Sequence, residues 1–200
     1  MKKVPRVESV FIGASAGGME ALKRVLASLP ADFSVPVVVV QHMHVSQDGY
    51  LVEYLDRLCA PHVKEADDKE LLRAGFVYFG PPNYHLLVEG DRTFSLSTDD
   101  KVNHSRPSID VLFESAAEAL GPGAVGVVLT GASRDGADGL RTVREKGGVA
   151  IVQDPDTAEF PLMPRSALET AGADHVLALD AIGPMLVELV KGPAVDGEAR

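Results

Sequence analysis

The sequence predicts an α/β fold: a doubly wound, mainly parallel sheet with helices on both faces and an antiparallel β-hairpin appended. Three observations carry this. First, short apolar, β-branched runs recur at residues 7–13, 35–41, 75–80, 124–131, 148–154 and 175–180 of the 200-residue chain. Second, helical patterns lie between the runs, and alternation of the two argues for parallel strands joined by crossover helices. Third, two short strand-like runs, 85–88 and 93–97, flank Glu89-Gly90-Asp91-Arg92 and break the rhythm as a hairpin would.

Each element has its own signal. Val35-Pro36-Val37-Val38-Val39-Val40 is almost continuously apolar, as expected of a strand buried on both faces. Met19, Leu22, Leu26 and Leu29 recur at helical spacing, as do Ile109, Leu112, Phe113, Ala116 and Leu120. Pro107 stands near the first turn of the second helix, where a missing N–H costs little. The expected organisation is an N-terminal extension over residues 1–6, one domain over 7–191 and a flexible polar tail over 192–200.

Composition narrows the function classes. An apolar fraction of 46% and a charged fraction of 24% suit an ordinary globular domain. The net charge is −10 and no basic block interrupts it, which argues against nucleic acid and against an anionic membrane surface. No apolar run long enough for a membrane span or a signal peptide is present, so no membrane insertion and a cytoplasmic location are expected. The single Cys59 permits no internal disulfide and reads as a buried apolar position.

Three strand ends carry candidate chemistry. The first run leads through Gly13-Ala14-Ser15-Ala16-Gly17 into a helix, the G-x-S-x-G pattern of a nucleophile elbow. Such a turn lifts the serine to the carboxyl edge of the sheet, beside free N–H groups of a helix N-terminus. An anion site or a plain structural turn would use similar residues, although neither G-x-G-x-x-G nor a P-loop lysine is present. The second run ends in Gln41-His42-Met43-His44, which puts His42 at the ligand crevice of a doubly wound sheet. His42 and His44 could also share a face as metal ligands. The third run leads to Asp135 and Asp138, either of which could orient a histidine or simply cap the following helix.

Taken together, the chain resembles the catalytic domain of the chemotaxis protein-glutamate methylesterase family, CheB. The resemblance rests on residues 12–18, on Val40-Gln41-His42-Met43 and on Arg106-Pro107-Ser108-Ile109-Asp110-Val111-Leu112-Phe113. It continues through residues 126–131 into Asp135-Gly136, and through Met163-Pro164-Arg165. It implies a serine hydrolase that cleaves glutamyl methyl esters on the cytoplasmic helices of methyl-accepting chemoreceptors, releasing methanol, with deamidation of glutamines as a further activity. It places the nucleophile at Ser15, the base at His42 and the orienting acid at Asp135, and it implies no metal and no cofactor. The expected oxyanion donors are the backbone N–H groups of Ala16 and Ala132, and Arg106 and Arg134 are the expected substrate contacts.

The chain departs from the family pattern at Ala16, where a threonine is usual, and over Ala132-Ser133-Arg134, where Met and Asn are usual. The usual receiver domain of about 120 residues has no room before the first strand, so an excised domain or a free-standing esterase is expected. Two rival readings use the same residues: an esterase or amidase with another substrate, and a catalytically inert receptor-binding module.

Overall fold

A computed structural model describes residues 6–42 and 50–192. The expected N-terminal extension and polar tail lie outside the described residues except at Arg6 and Gly192, and so does His44. The chain forms β1 (Ser9–Ala14), α1 (Gly18–Ala27), β2 (Val37–Gln41), α2 (Tyr50–Leu58), β3 (His62–Glu65), β4 (Phe76–Phe79), β5 (His85–Val88) and β6 (Phe94–Ser97). It continues with α3 (Ile109–Leu120), β7 (Ala124–Val128), α4 (Ala137–Glu145), β8 (Val149–Gln153), α5 (Leu162–Thr170), β9 (His175–Leu177) and α6 (Leu179–Lys191).

Seven strands make one sheet in the order β3-β4-β2-β1-β7-β8-β9, and every pairing in it is parallel. The central strands β1, β2 and β7 are buried along their whole length, because helices cover both faces. One apolar cluster joins that sheet to α1, α2 and α6 through Leu22, Leu26, Leu55, Ile182 and Leu186. The other joins it to α3, α4 and α5 through Ile109, Leu112, Phe113, Leu140 and Met163. The hairpin β5-β6 is a separate antiparallel sheet, and its Leu86, Val88 and Phe94 belong to the second cluster.

The structure adds to the sequence reading in two places. The edge strand β3 is a seventh strand that no apolar run announced; of His62-Val63-Lys64-Glu65 only Val63 is buried. An edge strand needs one inward side chain and tolerates charge elsewhere. Met19 is 47% exposed, so the buried stripe of α1 starts at Ala21 and continues through Leu22, Val25 and Leu26. Cys59 is half-buried against the first cluster, and burial pushes its thiol up to about 11.

The order β2-β1-β7 matters most for function. Ser15 follows β1, His42 follows β2 and Asp135 follows β7, so three neighbouring parallel strands end at one edge.

Candidate active site

The turn after β1 is held from both sides. Ser15 gives its N–H to the Thr130 carbonyl, and its own carbonyl accepts from Gly18 N–H at 2.8 Å. Gln41 reaches across from β2, and its Nε2 donates to the carbonyls of Ser15 and His42, each at 2.8 Å. Thr130 donates from Oγ1 to the Ala16 carbonyl at 3.0 Å. Gly17 has φ 74, the left-handed region that a side chain would strain, and it is the residue that turns the chain into α1. A Cβ at Gly18 would overlap Gln41 Oε1, so the glycine is what lets that amide pass under the turn.

His42 comes beside this turn by register. Ala14 pairs with Gln41 at the ends of β1 and β2, and His42 N–H donates to the Ala14 carbonyl. The next residues along the two strands are Ser15 and His42. The imidazole is mostly buried, with 14% of its side chain exposed, and its Nε2 lies 2.8 Å from Asp135 Oδ2. With Asp135 ionised, Nε2 carries the proton and donates it. Nδ1 is then the ring nitrogen with a free lone pair.

Asp135 is fully buried and does not cap its own helix α4, whose Gly139 N–H goes to Asp110 Oδ1. It faces instead the N-terminus of α3. Its Oδ2 accepts from Ile109 N–H at 2.7 Å as well as from His42. Its Oδ1 accepts from Ser108 Oγ at 2.8 Å, Asn103 Nδ2 at 2.9 Å and Asp110 N–H at 3.2 Å. The helix end comes this close because Gly13 and Gly136 offer no Cβ to Ile109, which fills the space at both. Burial alone would push the Asp135 carboxyl up. The hydrogen bonds from His42, Asn103 and Ile109 outweigh it and hold the group at about 2.

A second buried carboxyl, Asp110, stands beside the first. Burial raises it, the Gly139 N–H at 2.7 Å opposes the rise, and the charge of Asp135 adds to it; the result is about 6. A folded value raised above the ordinary 3.8 means that the native state keeps a proton that the unfolded chain has released. Stability from this group is therefore lost as pH climbs from about 4 to about 6. Between about pH 5 and pH 7 the expected loss is about 1 kcal/mol, absent in Asp110→Asn, as read from urea unfolding of both proteins. An equal pH dependence in the variant would show that surface charge, not Asp110, is responsible.

The remaining predicted residues separate into two groups. The N–H groups of Ala16 and Ala132 have no hydrogen-bond acceptor among the described residues, whereas Gly131 N–H is taken by the Phe160 carbonyl. Arg106 lines a cleft of about 150 Å³ together with His42, Asn83, Lys101 and His104. Its Nη1 donates to the carbonyls of Thr98 and Asp99, and its buried Nε has no partner among the described residues. Arg134 does not line that cleft. It is 63% exposed and pairs with Asp138, which also pairs with Arg141. Sequence reading passed over Asn103, Ser108, Asp110, Gln41 and Thr130 as site residues. Among the described residues no cluster of three or more potential metal ligands occurs, and no helix is long and apolar enough to cross a membrane.

Comparison with known proteins places this geometry in a family. Residues 10–186 match the CheB methylesterase family. A Leptospira interrogans relative is 51% identical over 182 residues, covering 91% of this chain and 94% of its own. A protein-glutamate methylesterase/protein-glutamine glutaminase of Maricaulis maris is 37% identical, and there the match covers 96% of this chain but 48% of the relative. The crystal structure of the Thermotoga maritima CheB methylesterase catalytic domain superposes with a TM-score of 0.89 at 38% identity, covering 93% of this chain and all of that one. The chain belongs to the CheB methylesterase family.

Proposed function

We propose that this protein is a serine hydrolase that removes methyl esters from glutamates on the cytoplasmic helices of methyl-accepting chemoreceptors, acting in the cytoplasm. The observation that carries the reading is the buried His42–Asp135 contact of 2.8 Å set at the strand end beside Ser15. Ser15 Oγ attacks the ester carbonyl while Nδ1 of His42 takes the hydroxyl proton. The N–H groups of Ala16 and Ala132 receive the oxyanion. The tetrahedral intermediate collapses, His42 returns the proton to the departing oxygen, and methanol leaves a glutamyl ester on Ser15. A water then attacks this ester as it gives its proton to His42, and when the bond to Ser15 Oγ breaks His42 hands that proton to the oxygen, freeing glutamate and Ser15. Asp135 keeps the imidazole in the tautomer with Nε2 protonated and stabilises its cation.

The same acyl-enzyme forms from a glutamine side chain with ammonia as the leaving group. The glutaminase half of the names carried by relatives supports that second activity. Methanol release from methylated receptor fragments by the purified protein tests the main reading. Turnover of simple esters without any turnover of receptor fragments would move the protein to another substrate.

Arg106 is proposed as a substrate contact, and its place in the cleft supports the role. Arg106→Ala is expected to raise KM about tenfold with little change in kcat, because it acts on bound substrate and transition state alike. Arg134→Ala is expected to change neither by more than about twofold, since an exposed ion pair is worth little. A drop in kcat with unchanged KM in Arg106→Ala would place that side chain in the chemistry instead.

A further inference from the structure

Asn103 and Asp110 have no part in the proposed ester cleavage, yet both are joined to its acid. Asn103, held at φ 49, donates from one amide nitrogen to Asp110 Oδ2 at 2.6 Å and to Asp135 Oδ1 at 2.9 Å. Asp110 is 4% exposed and its other oxygen is anchored by Gly139 N–H. A Cβ at residue 139 would stand 2.9 Å from the Asp110 backbone, so α4 presses directly on this carboxyl's helix and leaves it little room to turn away. Two buried carboxylates repel each other, and the Gly139 N–H on the far oxygen of Asp110 offsets only part of that cost. Asn103 also belongs to the segment that lines the cleft, with Lys101, His104 and Arg106.

Resting on the reading of Ser15, His42 and Asp135 as a triad, we propose that Asn103 and Asp110 are its positioning residues. Asp110 aims the Asn103 amide, and the pair sets the negative charge that Asp135 presents to His42. The three donors on Oδ1 draw charge away from Oδ2, the oxygen that faces the imidazole. Loss of the Asn103 donor returns charge to Oδ2 and favours the imidazolium. Loss of the Asp110 charge disfavours the imidazolium. Two changes to one hydrogen-bonded pair therefore act in opposite directions. The other groups around the site are common to both variants. Asp138 on α4 and Glu114 on α3 are its further acids, with Arg141 paired to Asp138. His85 of β5 has both ring nitrogens engaged, by Ser108 N–H and the Asp100 carbonyl.

The test compares wild type, Asn103→Leu and Asp110→Asn. The pH dependence of kcat/KM for methanol release is one readout. NMR titration of the His42 ring protons, which needs no substrate, is the other. In Asn103→Leu the acid limb is expected to move up by roughly half a pH unit, and in Asp110→Asn to move down by a similar amount. Plateau kcat is expected to fall about tenfold in each, with KM held. Should Asp110→Asn not fold, Asp110→Ser also removes the charge and carries the same expected sign. A merely structural role would lower stability and leave the limb in place, or move it the same way in both variants, and either result overturns the inference. If wild type releases no methanol, the reading of function fails on its own account. The ring-proton titrations then still decide the inference: opposite displacements support it, and none removes it.

Discussion

Ser15→Ala is expected to lower methanol release by roughly four to six powers of ten while leaving the fold intact. The turn owes its shape to the backbone and to its neighbours, through Thr130, Gln41, Gly17 and Gly18. Among the described residues the Ser15 hydroxyl makes no hydrogen bond that the turn depends on, so unfolding stability should change by less than about 0.5 kcal/mol. His42→Ala should cost about as much activity. The double variant should cost little more than either single one, because nucleophile and base act as a unit. Some rate is expected to survive over uncatalysed hydrolysis, since the N–H groups of Ala16 and Ala132 are backbone and remain. Methylated receptor fragments with methanol as the readout measure all three. Equal release by wild type and Ser15→Ala would remove Ser15 from the mechanism. Additive losses in the double variant would mean that serine and histidine work in separate steps.

The sequence displayed the frame of this site better than its support. Runs such as Val37–Gln41 and Ala124–Val128 read as buried parallel strands because helices cover both faces and no polar alternation is needed. Ser15 and His42 were legible because each directly follows such a run. Asp135 was harder to read, because an acid just before α4 has the pattern of a capping residue and Asp138 fits as well. Local pattern cannot separate them. Asp135 caps the start of α3 at N–H groups 25 and 26 positions before it, and Asp138 meets arginines three and four positions away. Asn103, Ser108 and Asp110 stayed hidden for the same reason. An acid in the first turn of a helix is ordinary complementarity to the helix dipole, and only the fold turns this one toward Asp135. Gln41 and Thr130 likewise act on the carbonyls of the serine turn, across the sheet, where no spacing rule reaches.

Asp135→Asn is the substitution that separates orientation of the base from capping of a helix. The amide would place an NH2 where the carboxylate now accepts, against either Ile109 N–H and His42 or the three donors on Oδ1. The oxygen is expected to stay with the three donors. The NH2 then faces Nε2, and the imidazole answers by moving its proton to Nδ1. In that tautomer it cannot take the Ser15 proton, and kcat is expected to fall by roughly three to four powers of ten. The fold should also lose about 2–4 kcal/mol, because Ile109 N–H loses its acceptor in a buried place. Asp138→Asn removes only partly exposed ion pairs to Arg134 and Arg141 and should leave activity within about twofold. Nitrogen NMR of His42 reports the tautomer without any substrate, and urea unfolding reports the stability. A capping role alone would show the stability loss with the wild-type tautomer and most of the activity kept. If Asp138→Asn were instead the more damaging variant, the orienting acid would have to be sought on α4, and the 2.8 Å contact between His42 and Asp135 would not be the one that matters for the reaction.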